Sequence, residues 1–159
     1  HLISQIARHG LFDIEINALG DLRTGWHHTV EDVGIGFGRA LREALGGNEG
    51  ITRMGHALVP LDEALARVAI DISGRGYASI ETNFITEKVE DLPGDLVRHF
   101  LETIAVESKI TLHVAVLSGL NDHHIAEAIF KAFAKALSDA VRLDPRRKSD
   151  IPSTKGTLQ

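Results

Sequence analysis

The sequence contains no cysteine, which excludes disulfides, thiolate metal sites and thiol catalysis. Any transition-metal site must therefore draw on imidazole and carboxylate, a donor set suited to Zn, Fe or Mn rather than Cu(I). An excess of positive charge is also missing. The formal net charge of -5 argues against a general nucleic-acid binder, which needs a basic surface to neutralise phosphates, while leaving room for a pocket that holds one phosphate. No apolar run approaches the ~20 residues that span a bilayer, so no membrane partner is expected. The chain starts at His1 without an initiator Met, which reads as trimming or processing and makes the absence of a targeting segment uninformative. What is present is an ordinary globular balance, 43% hydrophobic and 25% charged over 159 residues, enough for one domain with a sizeable core.

Against that background the histidines stand out. His27-His28-Thr29-Val30-Glu31 is matched 96 residues later by His123-His124-Ile125-Ala126-Glu127, in a chain with nine histidines. On a helix, at ~100° per residue, Glu31 projects between the directions of His27 and His28, so two imidazoles and a carboxylate share one face at metal-ligand reach. A single copy would read as a polar helical N-terminus. Surface polar residues have no packing reason to recur in the same order, so the second copy points to a built site.

Periodicity predicts a helix over residues 1–9 ended by Gly10, and a half-buried strand from Phe12 to Ala18. A second helix is predicted over Thr29–Leu45, with Gly34, Gly36 and Gly38 permitting close packing against a neighbour. The Gly-x-Gly-x-Gly run lies inside this helical pattern with no strand before it, which excludes a nucleotide loop. The segment Ile51–Glu87 reads as strand-rich: Leu61 to Leu65 as a short helical turn, and Ala66–Ile72 as pairing in a hairpin with Tyr77–Phe84 across Gly74-Arg75-Gly76. A helix opened by Pro93-Gly94-Asp95 runs to about Glu107, a strand covers Ile110–Val116, and Asn121-Asp122 caps a last helix over His123–Leu143. The tail from Asp144 is polar, basic and punctuated by proline.

Laid on itself, the chain repeats. With a two-residue gap in the turn, His1–Leu45 matches His99–Val141: His1 falls on His99, His27, His28 and Glu31 on His123, His124 and Glu127, and Phe37 and Leu41 on Phe133 and Leu137. The expected organisation is a single domain of two repeats, about 1–50 and 51–143, with a basic tail, 144–159. Each half supplies three imidazoles and one carboxylate. Adjacent histidines on a helix diverge by ~100°, so one member of each pair is expected at one metal and its neighbour at another. The eight ligands then make two sites with open positions for substrate or water. The zinc-protease spacings do not fit, because Asp32 and Ala128 stand where a second histidine beyond the glutamate would be needed. His9, His56 and His113 have no repeat partner and read as structural. A non-catalytic metal-binding or metal-assembled protein would share the histidine repeat.

The whole chain resembles the imidazoleglycerol-phosphate dehydratase family. The residues that carry the resemblance are His1 with Ala7-Arg8-His9-Gly10, His27-His28-Thr29-Val30-Glu31-Asp32, Pro60-Leu61-Asp62-Glu63-Ala64, Asp71-Ile72-Ser73-Gly74-Arg75, His99-Phe100, Asn121-Asp122-His123-His124, Phe130-Lys131-Ala132-Phe133-Ala134 and Ser153-Thr154-Lys155-Gly156. The resemblance implies an α+β fold of duplicated half-domains, each a mixed sheet with helices on one face and the helices sandwiched between two sheets, like domain 2 of ribosomal protein S5. It implies two Mn²⁺ per active site held by His1, His27, His28, Glu31, His99, His123, His124 and Glu127, with Glu31 and Glu127 as the carboxylates available for proton transfer. It implies that Arg53, Arg75, Ser153 and Lys155 hold the substrate phosphate, a grouping that spacing alone does not give. The implied reaction is dehydration of D-erythro-imidazole-glycerol phosphate in histidine biosynthesis, in the cytoplasm or a plant plastid, by a homo-oligomer of trimers forming a 24-subunit shell with sites between subunits. The family also has an N-terminal strand region ahead of the His1 helix. Its absence from this sequence is expected to leave one sheet incomplete, and an inactive truncated form is the corresponding alternative.

Overall fold

The computed structural model describes residues 1–82, 84, 88–148 and 150–158, with the side chain of Leu22 also outside it. Position 83 of the expected Tyr77–Phe84 strand and positions 85–87 of the strand-rich segment lie outside the described residues. The chain forms α1 (Leu2–Gly10), a 3-10 turn (Leu22–Thr24), α2 (His27–Leu45), β1 (Met54–Leu61), β2 (Ala64–Asp71), β3 (Tyr77–Glu81), β4 (Lys88–Val89), β5 (Leu92–Pro93), α3 (Gly94–Glu107), β6 (Thr111–Ser118) and α4 (Asp122–Val141). This is the α+β class expected, with the helix–extended segment–helix order repeated.

The four-stranded sheet runs β1-β2-β6-β3, antiparallel except for the parallel β6–β3 pair. Ala64, Ala66, Val68 and Ile70 of β2, with Leu112 and Val114 of β6, turn one face inward, as period-2 alternation requires. Against that face lies α4, packed on β1 and β2, with α3 against β3. Apolar residues surround α4 on nearly every side, and Ile125, Ile129, Phe130, Phe133 and Leu137 are all buried. Phe100 of α3 stacks on Phe130 of α4 at 5.9 Å. The outer helix layer then crosses between halves: α1 packs on α4, and α2 on α3.

Two close approaches fix these layers. A Cβ at Gly38 of α2 would fall 2.7 Å from Glu107 Cβ, and one at Gly34 3.1 Å from Thr103 Cγ2, both on α3. The expected close packing of the helix glycines holds for these two, whereas Gly36 faces open space. On β1, a Cβ at Gly55 would meet the backbone of Ala136 and Ala140 of α4.

The repeat is visible in backbone detail. Leu11 after α1 and Lys109 after α3 both adopt the left-handed conformation, at φ 59° and 55°. Phe12 N–H donates to Ala7 O at 3.1 Å, and Ile110 N–H to Ala105 O at 3.0 Å, the same hydrogen bond 98 residues on. Beyond this turn the halves differ. Phe12–Ala18 corresponds to β6 but is not a strand, because alternation sets which side chains face inward without supplying a neighbour for the N–H and C=O groups. Among the described residues it has no strand partner; Phe12 and Ile14 pack on the core. The segment borders a cavity of about 800 Å³ above Val33, Phe37 and Leu41 of α2.

Two further expectations are corrected. The hairpin is β1–β2, closed at Leu61↔Ala64, so Leu61–Leu65 is not a helical turn. Asp62, at φ 48°, is a residue type that tolerates the positive φ of a two-residue loop. β2 and β3 do not form a hairpin, because β6 lies between them; Gly74-Arg75-Gly76 carries the chain across the end of β6, and α3 provides the crossover that a parallel β3–β6 pair needs. Gly55→Ala is expected to destabilise the fold by about 3 kcal/mol, since overpacking against helix backbone has no flexible side chain to absorb it. Urea denaturation measures this, and a loss under about 0.5 kcal/mol would contradict the packing described.

Candidate metal centre

Helix crossing between halves brings the predicted ligands together in two groups. His1, at the N-terminal cap of α1, meets His123 and Glu127 in the first turns of α4; His99 of α3 meets His27 and Glu31 in the first turns of α2. In each group one ligand atom per residue lies within 4.8 Å of the other two. The groups correspond residue for residue under the repeat, and each takes one histidine from one half and a His-x-x-x-Glu pair from the other.

In the first group His1 Nε2 is 2.6 Å and His123 Nε2 3.3 Å from Glu127 Oε1, with the two rings stacked at 5.8 Å. In the second, His99 and His27 stack at 4.8 Å, and His99 Nε2 stands 3.6 Å from Glu31 Oε1, beyond hydrogen-bond reach. His99 Nε2 is buried without a hydrogen-bond partner. A buried imidazole nitrogen left unpaired beside a carboxylate costs stability unless something fills the gap. A divalent cation satisfies both groups at once, and the nitrogen–oxygen donor set suits Mn or Zn.

The two groups have unlike surroundings. Glu127 is almost buried, and Lys131 Nζ lies 2.6 Å from its Oε2. That hydrogen bond, opposed by burial and helped by the lysine charge and His123, holds the Glu127 carboxyl below its ordinary range. The repeat places Ile35 where Lys131 stands, and Glu31 is 40% exposed. Beside the first group a cavity of about 390 Å³ is lined by His1, His123, Trp26, Val30, Phe100 and Phe130 among others, room for a small molecule. Glu90 Oε1 is 3.1 Å from His123 Nδ1 at its edge.

His28 and His124 join neither group within one chain, although one member of each histidine pair is expected at one metal and its neighbour at the other. His28 is exposed, its ring edge-on to that of His27 at 6.0 Å between centroids. His124 is held by the β1–β2 loop: Nδ1 lies 2.8 Å from Glu63 Oε2. The Glu63 carboxyl is pulled down to about 2, chiefly by that bond and then by the Asn121 N–H, and His124 is raised by the same bond. The turn carrying both α4 histidines is itself capped, with Asn121 Oδ1 accepting from the N–H groups of His123 (2.9 Å) and His124 (3.2 Å).

Of the four residues expected at a phosphate, Arg53 lies far from these groups within one chain. Arg53 N–H donates to Ala140 O at the other end of α4, 13 residues and therefore about 20 Å from Glu127. Its Nε and Nη2 donate to Asp71 and its Nη1 to Pro152 O, which ties the tail to the sheet. Arg75 Nη1 donates weakly to Ser73 O at 3.3 Å, and Ser153 Oγ accepts from Lys155 N–H at 3.2 Å. Of the unpaired histidines, His56 and His113 belong to strands, His113 beside Tyr77. His9 is depressed by burial and by Lys131 and Lys135.

Two contacts of these ligand-bearing turns, through Lys131 and Glu63, have no counterpart among the residues expected at the site. The Glu127–Lys131 spacing of four on a helix is a readable signal; the Glu63–His124 contact spans 61 residues and needs the hairpin register.

Fold and site together define a duplicated α+β enzyme scaffold carrying paired histidine–carboxylate metal-binding groups. The family model for imidazoleglycerol-phosphate dehydratase matches residues 1–137. The chain is 54% identical to the imidazoleglycerol-phosphate dehydratase of Dehalococcoides mccartyi strain CBDB1, over all of this chain and 80% of that protein. It is 51% identical to that of Methanoculleus marisnigri, over 99% and 81%. The crystal structure of the Pyrococcus furiosus enzyme superposes with a TM-score of 0.85 at 39% identity, covering 99% of this chain and 84% of that one; the Staphylococcus aureus enzyme gives 0.84 at 37%, covering 91% and 82%. The chain belongs to the imidazoleglycerol-phosphate dehydratase family and is a hydro-lyase.

Asn121→Ala removes the cap of the histidine-bearing turn and is expected to cost about 1 kcal/mol. Thermal denaturation reads this, and an unchanged midpoint would mean that the cap does not hold the turn.

Proposed function

We propose that this chain dehydrates D-erythro-imidazole-glycerol phosphate to imidazole-acetol phosphate, a step of L-histidine biosynthesis, at sites holding two Mn²⁺ ions each. The observation that carries this reading is the pair of matched groups, His1–His123–Glu127 and His27–Glu31–His99, the first of them beside a cavity of about 390 Å³. His28 and His124 complete the eight-ligand set from neighbouring copies, since both diverge from the groups in their own chain. The separation of about 20 Å along α4 between Glu127 and the Arg53 contact supports sites shared between subunits, in trimers that assemble into a 24-mer. There the substrate phosphate meets Arg75, Ser153 and Lys155 of another copy, braced by the Arg53–Asp71 pair.

Bound Mn²⁺ supplies charge stabilisation for the substrate's imidazole as the reaction proceeds. The remaining work falls to the protein. A carboxylate, Glu31 or Glu127, removes the carbon-bound proton; the neighbouring C–O bond breaks and the departing hydroxyl takes up that proton and leaves as water; the resulting enol tautomerises to the ketone. Lys131 keeps Glu127 ionised in a nearly buried position.

Turnover of imidazole-glycerol phosphate at ~mM Mn²⁺, abolished by EDTA and restored by Mn²⁺, is the expected result. Metal-dependent assembly without turnover would favour a non-catalytic metal-assembled protein. His28→Ala and His124→Ala are expected to lower metal content and assembled mass comparably, as measured by elemental analysis and light scattering; bound metal unchanged in one variant would remove that position from the ligand set.

A further inference from the structure

We infer that Glu63 is a positioning residue for His124: its carboxylate fixes the imidazole as the Nδ1–H tautomer and so presents the Nε2 lone pair outward to metal. The inference rests on the proposed role of His124 as a ligand.

Glu63 sits in the two-residue loop between β1 and β2, and its two oxygens do different work. Oε1 accepts from the N–H groups of Leu120 (3.2 Å) and Asn121 (2.8 Å), just ahead of α4; Oε2 faces His124 Nδ1 at 2.8 Å. An ionised carboxylate only accepts hydrogen bonds, so Nδ1 must carry the proton of the neutral ring. The lone pair is thereby left on Nε2, which has no hydrogen-bond partner among the described residues and stands 3.9 Å from the exposed Asp62 carboxylate. Metal-bound histidines commonly donate the other ring N–H to a carboxylate in this way, which fixes both ring and tautomer. The repeat supplies an internal control, because His28 has no such carboxylate among the described residues.

Replacing Glu63 by Gln separates orientation from simple anchoring. The amide oxygen keeps its place on the N–H groups of Leu120 and Asn121, so the loop stays attached. The amide NH₂ then faces Nδ1 and can only donate, which selects the Nε2–H tautomer and occupies the metal-binding nitrogen. In ¹⁵N histidine ring spectra of the metal-free full chain at about pH 8.5, above the ordinary histidine range, His124 should be Nδ1–H in the parent and Nε2–H in Glu63→Gln. Mn²⁺ titration should give about 10–100-fold weaker binding in Glu63→Gln, with an unchanged melting temperature. An Nε2–H ring in the parent, an unchanged tautomer in Glu63→Gln, or parental Mn²⁺ affinity in Glu63→Gln would each overturn the inference. His124→Ala distinguishes the two levels. If it binds Mn²⁺ like the parent, the ligand reading falls and the inference with it; if it binds weakly while Glu63→Gln does not, only the positioning role falls.

Discussion

The crossing of helices between halves is the constraint on which the rest of the molecule depends. If each half packed its own helices together, His1 would lie near His27 and Glu31. Instead α1 lies on α4 and α2 on α3, and each imidazole at the start of one repeat reaches the His-x-x-x-Glu face of the other. The contact is close because α2 presents Gly34 and Gly38 to α3, and because α4 is apolar on nearly every side. Core packing thus places ligands from distant parts of the sequence within 4.8 Å of one another. The cost is polar atoms held together in a folded chain, most plainly the unpaired His99 Nε2, and a cation bound there would offset it.

Duplication gave the two groups the same ligand types without the same surroundings. Glu127 has a lysine one helical turn on, whereas Glu31 has Ile35. His124 is gripped by a carboxylate from the β1–β2 loop, whereas His28 is exposed. Two groups of equal composition therefore differ in charge and exposure.

Much of this was legible in the sequence, and the boundary has a physical origin. Helical periodicity located α1 to α4 within a few residues, and the recurrence of surface histidines identified all six residues of the two groups. The repeat tells which residues correspond, but not which meet; exchange between halves becomes visible only through helix pairing. Phe12–Ala18 has the alternation of a strand and matches β6, yet strand formation requires a partner that its own residues cannot specify. The Ala66–Ile72 run holds most of β2 and the Tyr77–Phe84 run begins with β3, Tyr77–Glu81, but the gap between them looks the same in sequence whether it closes a hairpin or steps across β6. Arg53, which the resemblance puts at the substrate phosphate, is paired with Asp71 within one chain, a contact that spacing alone does not reveal.

The most direct test of the exchanged-ligand account is anomalous diffraction at the manganese edge from crystals of the Mn²⁺-loaded protein. The account predicts two peaks per chain, one among His1, His123 and Glu127 and one among His27, Glu31 and His99. A single peak, or peaks lying away from both groups, would contradict it.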